Sequence, residues 1–231
     1  MDKLVDWEKR RFARIMELEG LGLEEITKLK NSKIAVVGLT GVGVSTLLSL
    51  ITSGVSSIKV VDHRSIDEFT LPQGSLFSKG DIGKLKTIAI KEKLINMRLV
   101  ERVNIKNVEL RDSNIQEILD DSEIVIYASY SKETLLLIGD YCQKKGKILV
   151  WTTGCNFHSY LLCATGDNAL ALIGRAISDI DAIYKSDYYY PSYVSSISGG
   201  AAAAVAINAL LGKASSFLRK CDVNTFGTEQ L

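Results

Sequence analysis

The feature that most limits the fold is an alternation of short β-branched apolar runs with stretches of helical spacing. Lys33-Ile-Ala-Val-Val-Gly38 reads as a buried parallel strand ending in glycine, and residues 42–51 follow with a helical pattern. Ser57-Ile-Lys-Val-Val-Asp62 reads as a second strand, ending on a carboxylate. After an aperiodic loop over residues 63–83, the spacing predicts a helix over 84–96. Further strands are expected at 103–108, 123–128 and 147–151, with helices at 115–119 and 134–144 between them. Strands alternating with helices in this order predict a doubly wound, mostly parallel α/β sheet. Residues 160–164 are a candidate sixth strand, 169–183 and 199–211 have helical patterns, and 216–221 is a candidate last strand.

Ahead of the first strand, residues 6–30 carry dense charge with apolar residues at helical spacing, broken near Gly20 and Gly22. No internal repeat or linker is visible, so one domain is expected over 1–231. It comprises an N-terminal helical arm (1–32), a nucleotide-fold core (33–165) and C-terminal helices and strand (166–231). A chain of 231 residues with 46% hydrophobic residues has enough apolar material for a sizeable core. Lys+Arg 28 against Asp+Glu 27 argues against a general nucleic-acid or acidic-membrane binder, which needs an excess of cations. The N-terminus has no apolar signal-type run, and the most apolar stretch, 199–211, falls short of a bilayer span, so no membrane partner is expected. Cys142, Cys155, Cys163 and Cys221 form no C-x-x-C, so neither a zinc ribbon nor a dithiol motif is indicated and no metal ligand is assigned.

Gly38-Leu-Thr-Gly41-Val-Gly43 follows a predicted strand and opens a predicted helix, the context that a nucleotide fingerprint requires. Glycines there let the backbone approach a phosphate and aim N–H groups at it. Asp62, 19 residues after Gly43, ends the second strand where a carboxylate can bind ribose hydroxyls. Thr40 stands where the usual pattern has its middle glycine, and its side chain would narrow the phosphate approach. The motif also reads as a tight turn alone. His63 and His158 are isolated and supply no evident hydride-transfer site, and nothing beside Cys155 offers a base for a nucleophile.

Flanking residues resemble one family. Arg11-Phe12-Ala13-Arg14 and Gly22 lie ahead of Lys28-Leu-Lys-Asn-Ser-Lys33-Ile-Ala-Val-Val-Gly38. Beyond the second strand come Asp62-His-Arg-Ser-Ile and Asp81-Ile-Gly83-Lys84-x-Lys86, and a pair Gly199-Gly200 is expected to open a helix. Together they look like the ThiF/MoeB/ubiquitin-activating superfamily, across roughly residues 10–215, and imply a Rossmann-like, ThiF-type fold. In that superfamily a C-terminal Gly-Gly carboxylate attacks the α-phosphate of MgATP, giving an acyl-adenylate and pyrophosphate. The resemblance implies Asp62 as the ribose acceptor and Lys86 as the phosphate-facing lysine.

The same comparison exposes departures. Where the family carries an Asn and an Arg-Gln pair this chain has Thr70, Gln73 and Gly74. Its magnesium-binding Asp is replaced by Ala128-Ser129-Tyr130-Ser131, with Tyr130 expected to intrude on the metal position. The resemblance therefore implies the inactive half of a heterodimeric activating enzyme, most similar to the smaller subunit of the SUMO-activating enzyme, nuclear and/or cytoplasmic. Its partners would be a catalytic ThiF-like subunit and a ubiquitin-like protein such as SUMO. ATP and Mg would bind at the partner's site, with Gly38, Gly41, Gly43, Asp62 and Lys86 a vestigial nucleotide site in this chain. Arg14 would reach the partner's triphosphate in trans. The rivals are an active ThiF/MoeB-like adenylyltransferase homodimer and a non-enzymatic Rossmann nucleotide-binding module. The Tyr-rich run 187–193 is expected to form a lid or partner contact.

Overall fold

Side chains alternate between the two faces of the sheet, and that alternation builds two apolar layers. The structure, a computed structural model, describes residues 2–74, 76–97, 102–183 and 189–231. Its strands are β1 (Lys33–Val37), β2 (Ser57–Val61), β3 (Arg102–Lys106), β4 (Ile124–Tyr127), β5 (Ile148–Cys155), β6 (His158–Ala164), β7 (Phe217–Asp222) and β8 (Gly227–Gln230). The helices are α1 (Asp6–Phe12), α2 (Leu23–Asn31), α3 (Gly41–Thr52), α4 (Lys86–Asn96), α5 (Ile115–Leu119), α6 (Lys132–Lys145), α7 (Ala169–Ile183) and α8 (Ser192–Leu210). In β1, Ile34 and Val36 join the core under α2, α3, α4 and α8, while Ala35 and Val37 join the opposite core under α5, α6 and α7. Ile124 and Ile126 against Val125 and Tyr127 repeat the division in β4. Burial on both faces is why these strands read as unbroken apolar runs.

The sheet order is β3-β2-β1-β4-β5-β6-β7-β8. β1 pairs in parallel with both β2 and β4, so the winding reverses between β1 and β4. From β5 onward the pairing is antiparallel. The doubly wound, mostly parallel, Rossmann-like class expected from the sequence is thus the class observed.

Several local expectations need correction. β3 ends at Lys106 and not at 108, and β5 runs on to Cys155, so this cysteine closes the strand instead of following it. Gly199 and Gly200 do not open a helix. α8 begins at Ser192 behind Pro191, and Gly199 lies inside it, where a Cβ would come within 2.5 Å of the Ser45 side chain and 2.7 Å of the Val42 carbonyl. Glycine there lets α8 press directly onto α3. By length and composition α8 is apolar enough to cross a membrane, but half of that window (50%) is buried, as in a core helix. α1 stops at Phe12 and residues 13–20 form turns, so the arm is two short helices. A buried Lys30–Glu8 ion pair of 2.6 Å fixes α1 to α2.

Candidate functional site

In an open α/β sheet, ligands bind beyond the carboxyl ends of the strands where the winding reverses. A cleft with a cavity volume of about 120 Å³, open to solvent, lies at that place. Its wall draws on the ends of β1 (Val37, Gly38), β2 (Val61, Asp62) and β4 (Tyr127), on Arg64 and Lys86, and on Ser129 and Ser131 ahead of α6.

The glycine turn is held by the protein's own backbone. Gly38 has φ +94, and a Cβ on it would meet the Ser129 Cβ at 3.0 Å and the Ala128 carbonyl at 3.1 Å. A Cβ on Gly43 would lie 1.9 Å from the Gly38 carbonyl oxygen, and one on Gly41 would lie 2.0 Å from the Gln73 carbonyl oxygen. That carbonyl, which also accepts the Ser195 hydroxyl at 2.6 Å, covers the start of α3. Thr40 lines the cleft, as expected, with its hydroxyl engaged by the protein. Its hydroxyl donates to the Ala128 carbonyl at 2.8 Å and accepts the Gly43 N–H at 3.3 Å, capping α3.

Asp62 is 8% exposed, and both of its oxygens take main-chain donors. Oδ2 accepts the Leu39 N–H at 2.6 Å and Oδ1 the Arg64 N–H at 2.7 Å. The carboxylate therefore locks the glycine turn to the end of β2 and retains lone pairs toward the cleft.

Lys86, the first residue of α4, is 7% exposed. Its main-chain N–H donates to the Arg64 carbonyl at 3.0 Å, but its ammonium has no hydrogen-bond or ion-pair partner among the described residues. Burial pushes its pKa below the ordinary lysine value, Arg64 adds to the depression, and Asp62 and Asp67 oppose it. A desolvated cation left without a partner in a cleft is an anion-binding arrangement.

The other sequence candidates fall elsewhere. Thr70 is buried, with its hydroxyl and N–H bonded to Asp67, and neither it nor Gln73 lines the cleft. Tyr130 does not intrude either. It leans on Trp151, ring centroids 6.2 Å apart, and leaves the cleft wall to Ser129 and Ser131. Arg14 is exposed in the turns after α1 and does not line this chain's own cleft. His63 sits at the rim, 4.0 Å from Glu109, while His158 begins β6 and lines none of the cleft. The Cys155 thiol is buried and pushed up to about 12, which suits a structural thiol and not a nucleophile. In the Tyr-rich run, residues 187 and 188 lie outside the described set. Tyr190 lays its ring on Gly154 and shares a hydrogen bond with Thr40, and Tyr189 and Tyr190 line a separate apolar groove with Phe69, Pro72 and Phe157.

Magnesium does not fit the donor set. Among the described residues no three His, Cys, Asp or Glu side chains cluster to hold a metal. The cleft has two carboxylates, Asp62 with an amide on each oxygen and Glu109 bonded by the Arg111 guanidinium at 2.7 Å, too few to enclose a metal.

Sequence reasoning missed Arg64, Glu109 and the hydroxyls of Ser129, Ser131 and Thr134. Only one signal was available for them. Ser131 and Thr134 stand at cap spacing, and the Ser131 hydroxyl accepts the Thr134 N–H at 3.3 Å ahead of α6.

Sheet order, glycine turn, acidic strand end and crevice together define a doubly wound α/β protein of the Rossmann-like kind. The sequence pattern of the ThiF family matches residues 12–230, and the chain belongs to that family. Among curated relatives, the probable adenylyltransferase/sulfurtransferase MoeZ of Mycobacterium tuberculosis is 27% identical over 62% of this chain and 37% of its own length. The sulfur carrier protein adenylyltransferase of Thermus thermophilus is 31% identical over 61% and 52%. The adenylyltransferase and sulfurtransferase UBA4 of Candida glabrata is 29% identical over 70% and 37%. The chain thus spans about half or less of the length of these relatives. Among solved structures, E. coli MccB with ATP superposes with a TM-score of 0.78 at 18% identity, covering 96% of this chain and 71% of MccB, a likeness of fold.

These findings correct the expectation of a non-adenylating subunit that serves SUMO. The relatives carry adenylyltransferase names, and none is a SUMO-activating small subunit. That expectation rested on the charges missing at Gln73 and Tyr130. In the folded chain Tyr130 is turned onto Trp151, and the cleft keeps two cations, Arg64 and Lys86.

Proposed function

We propose that this chain is an active ThiF-type adenylyltransferase that binds ATP in the cleft at the β1/β4 switch and activates a carboxylate at the C-terminus of a small carrier protein. The observation that carries the reading is Lys86, whose side chain is largely buried and whose ammonium, without a hydrogen-bond or ion-pair partner among the described residues, opens on the same cleft as Gly38 and Asp62. Asp62 would accept the ribose hydroxyls through its remaining lone pairs, and Lys86 would neutralise phosphate charge where water is scarce. The substrate carboxylate oxygen attacks the α-phosphorus, the α–β P–O bond breaks, and pyrophosphate leaves with the electron pair. Lys86 holds charge that grows on the departing phosphate. Among the described residues the cleft has no cluster of acidic ligands for magnesium, so no step is assigned to the metal.

The exposed position of Arg14, away from its own cleft, supports a homodimer in which each copy's arginine serves its partner's triphosphate. The two apolar cores share one sheet, which supports reading the chain as a single domain.

The test is incorporation of labelled pyrophosphate into ATP by the purified chain with a sulfur carrier protein ending in Gly-Gly. Exchange that requires the carrier's free C-terminus is expected. Absence of exchange, with ATP bound, would refute the adenylation step for that substrate class.

A further inference from the structure

We propose that Arg64 is a second phosphate-binding cation of this cleft, gripping the polyphosphate chain of the nucleotide beside Lys86. The inference rests on the nucleotide reading of the cleft and assigns a residue to it.

Arg64 lies three residues beyond β2, and its main chain is held on both sides. Its N–H donates to Asp62 Oδ1 at 2.7 Å, and its carbonyl accepts the Lys86 N–H at 3.0 Å. The same two hydrogen bonds tie the end of β2 to the start of α4, so the residues carrying Asp62, Arg64 and Lys86 are set as one unit before any ligand arrives. The Arg64 side chain lines the cleft with Lys86, Tyr127 and Ser129.

Among the described residues no carboxylate forms an ion pair with it, although Glu109 on the same wall feels its charge. Asp62 turns one lone pair of each oxygen to an amide donor and acts through its charge on Lys86. Glu109, the other cleft carboxylate, is bonded by Arg111 at 2.7 and 3.2 Å, and Arg64 forms no ion pair among the described residues. Two like charges on one narrow wall repel, and their interaction is felt at Lys86. A ligand with several adjacent negative charges relieves both at once, and the planar guanidinium can take two oxygens of one phosphate. Gln73 adds nothing here, because it turns its carbonyl to Gly41 and borders the neighbouring groove.

The experiment is calorimetric titration of the full chain and of its Arg64→Gln and Arg64→Lys variants with ATP and, separately, with AMP. Because Arg64 is exposed, both variants should melt with the unaltered chain. Arg64→Gln should weaken ATP on the order of 10-fold, a charged hydrogen bond's worth. AMP should bind almost as before, and Arg64→Lys should recover part of the ATP affinity. Equal losses for ATP and AMP would overturn the assignment by placing Arg64 on the base or ribose, and an unchanged ATP affinity would overturn it outright. If the unaltered chain binds no ATP, the nucleotide reading itself falls, and the Arg64 assignment with it.

Discussion

Lys86 sets stability against binding. A partly desolvated ammonium without an ion-pair partner opposes folding, so an apolar side chain of similar length should stabilise the chain by about 1 kcal/mol. Lys86→Met should therefore raise the melting temperature of the unliganded chain by about 3 °C while removing measurable ATP binding. The sign of the pH dependence follows from the depressed pKa. Unfolding lets the lysine regain its proton, so its penalty is complete below the folded value and fades as pH rises through that value toward the ordinary 10.5. Melting curves at neutral and alkaline pH should show the Lys86→Met advantage shrinking at the higher pH. A variant less stable than the parent at neutral pH would mean that Lys86 has a structural partner.

At the scale of elements, the start of α3 decides whether the turn exists. A methyl group at residue 43 would lie 1.9 Å from the Gly38 carbonyl, so the helix must move off β1 or the turn must open. Overpacking of this kind costs about 1–3 kcal/mol, and Gly43→Ala should lower the urea midpoint accordingly. A midpoint within experimental error of the parent would show that the turn can relax. This turn and the parallel strands were legible from sequence because their physics is local: β-branched runs buried on both faces, then glycines where backbone meets backbone. The start of α8 was not legible. Ser192, Ser195, Ser196 and Ser198 look like loop residues, yet Ser195 and Ser198 are buried through hydrogen bonds to the Gln73 carbonyl and the Ser159 hydroxyl, partners distant in sequence. β8 was missed for the opposite reason. Its four residues are all exposed and carry no apolar alternation, so only pairing with β7 defines it. Asp62 and Lys86 could be found from motif context, but Arg64 could not. Its place in the cleft depends on the loop after β2 returning to bond the start of α4.

At the scale of the whole molecule, the separation of Arg14 from its own cleft makes a sharp claim. If each site combines Lys86 of one copy with Arg14 of the other, single variants at these two positions damage different halves of the same site. Arg14→Ala and Lys86→Met should each form dimers by sedimentation, and each should abolish or greatly reduce pyrophosphate exchange. Mixed and allowed to re-equilibrate, they should produce heterodimers in which one site has lost both residues and the other has lost neither. With random pairing, half the dimers are mixed and each carries one intact site, so activity should return to about one quarter of the parent's level. A Rossmann-like domain working alone predicts no recovery, because no single chain in the mixture has both residues. Recovery without dimers in the centrifuge, or dimers without recovery, would dismiss the shared site while leaving ATP binding by Asp62 and Lys86 to be judged by calorimetry.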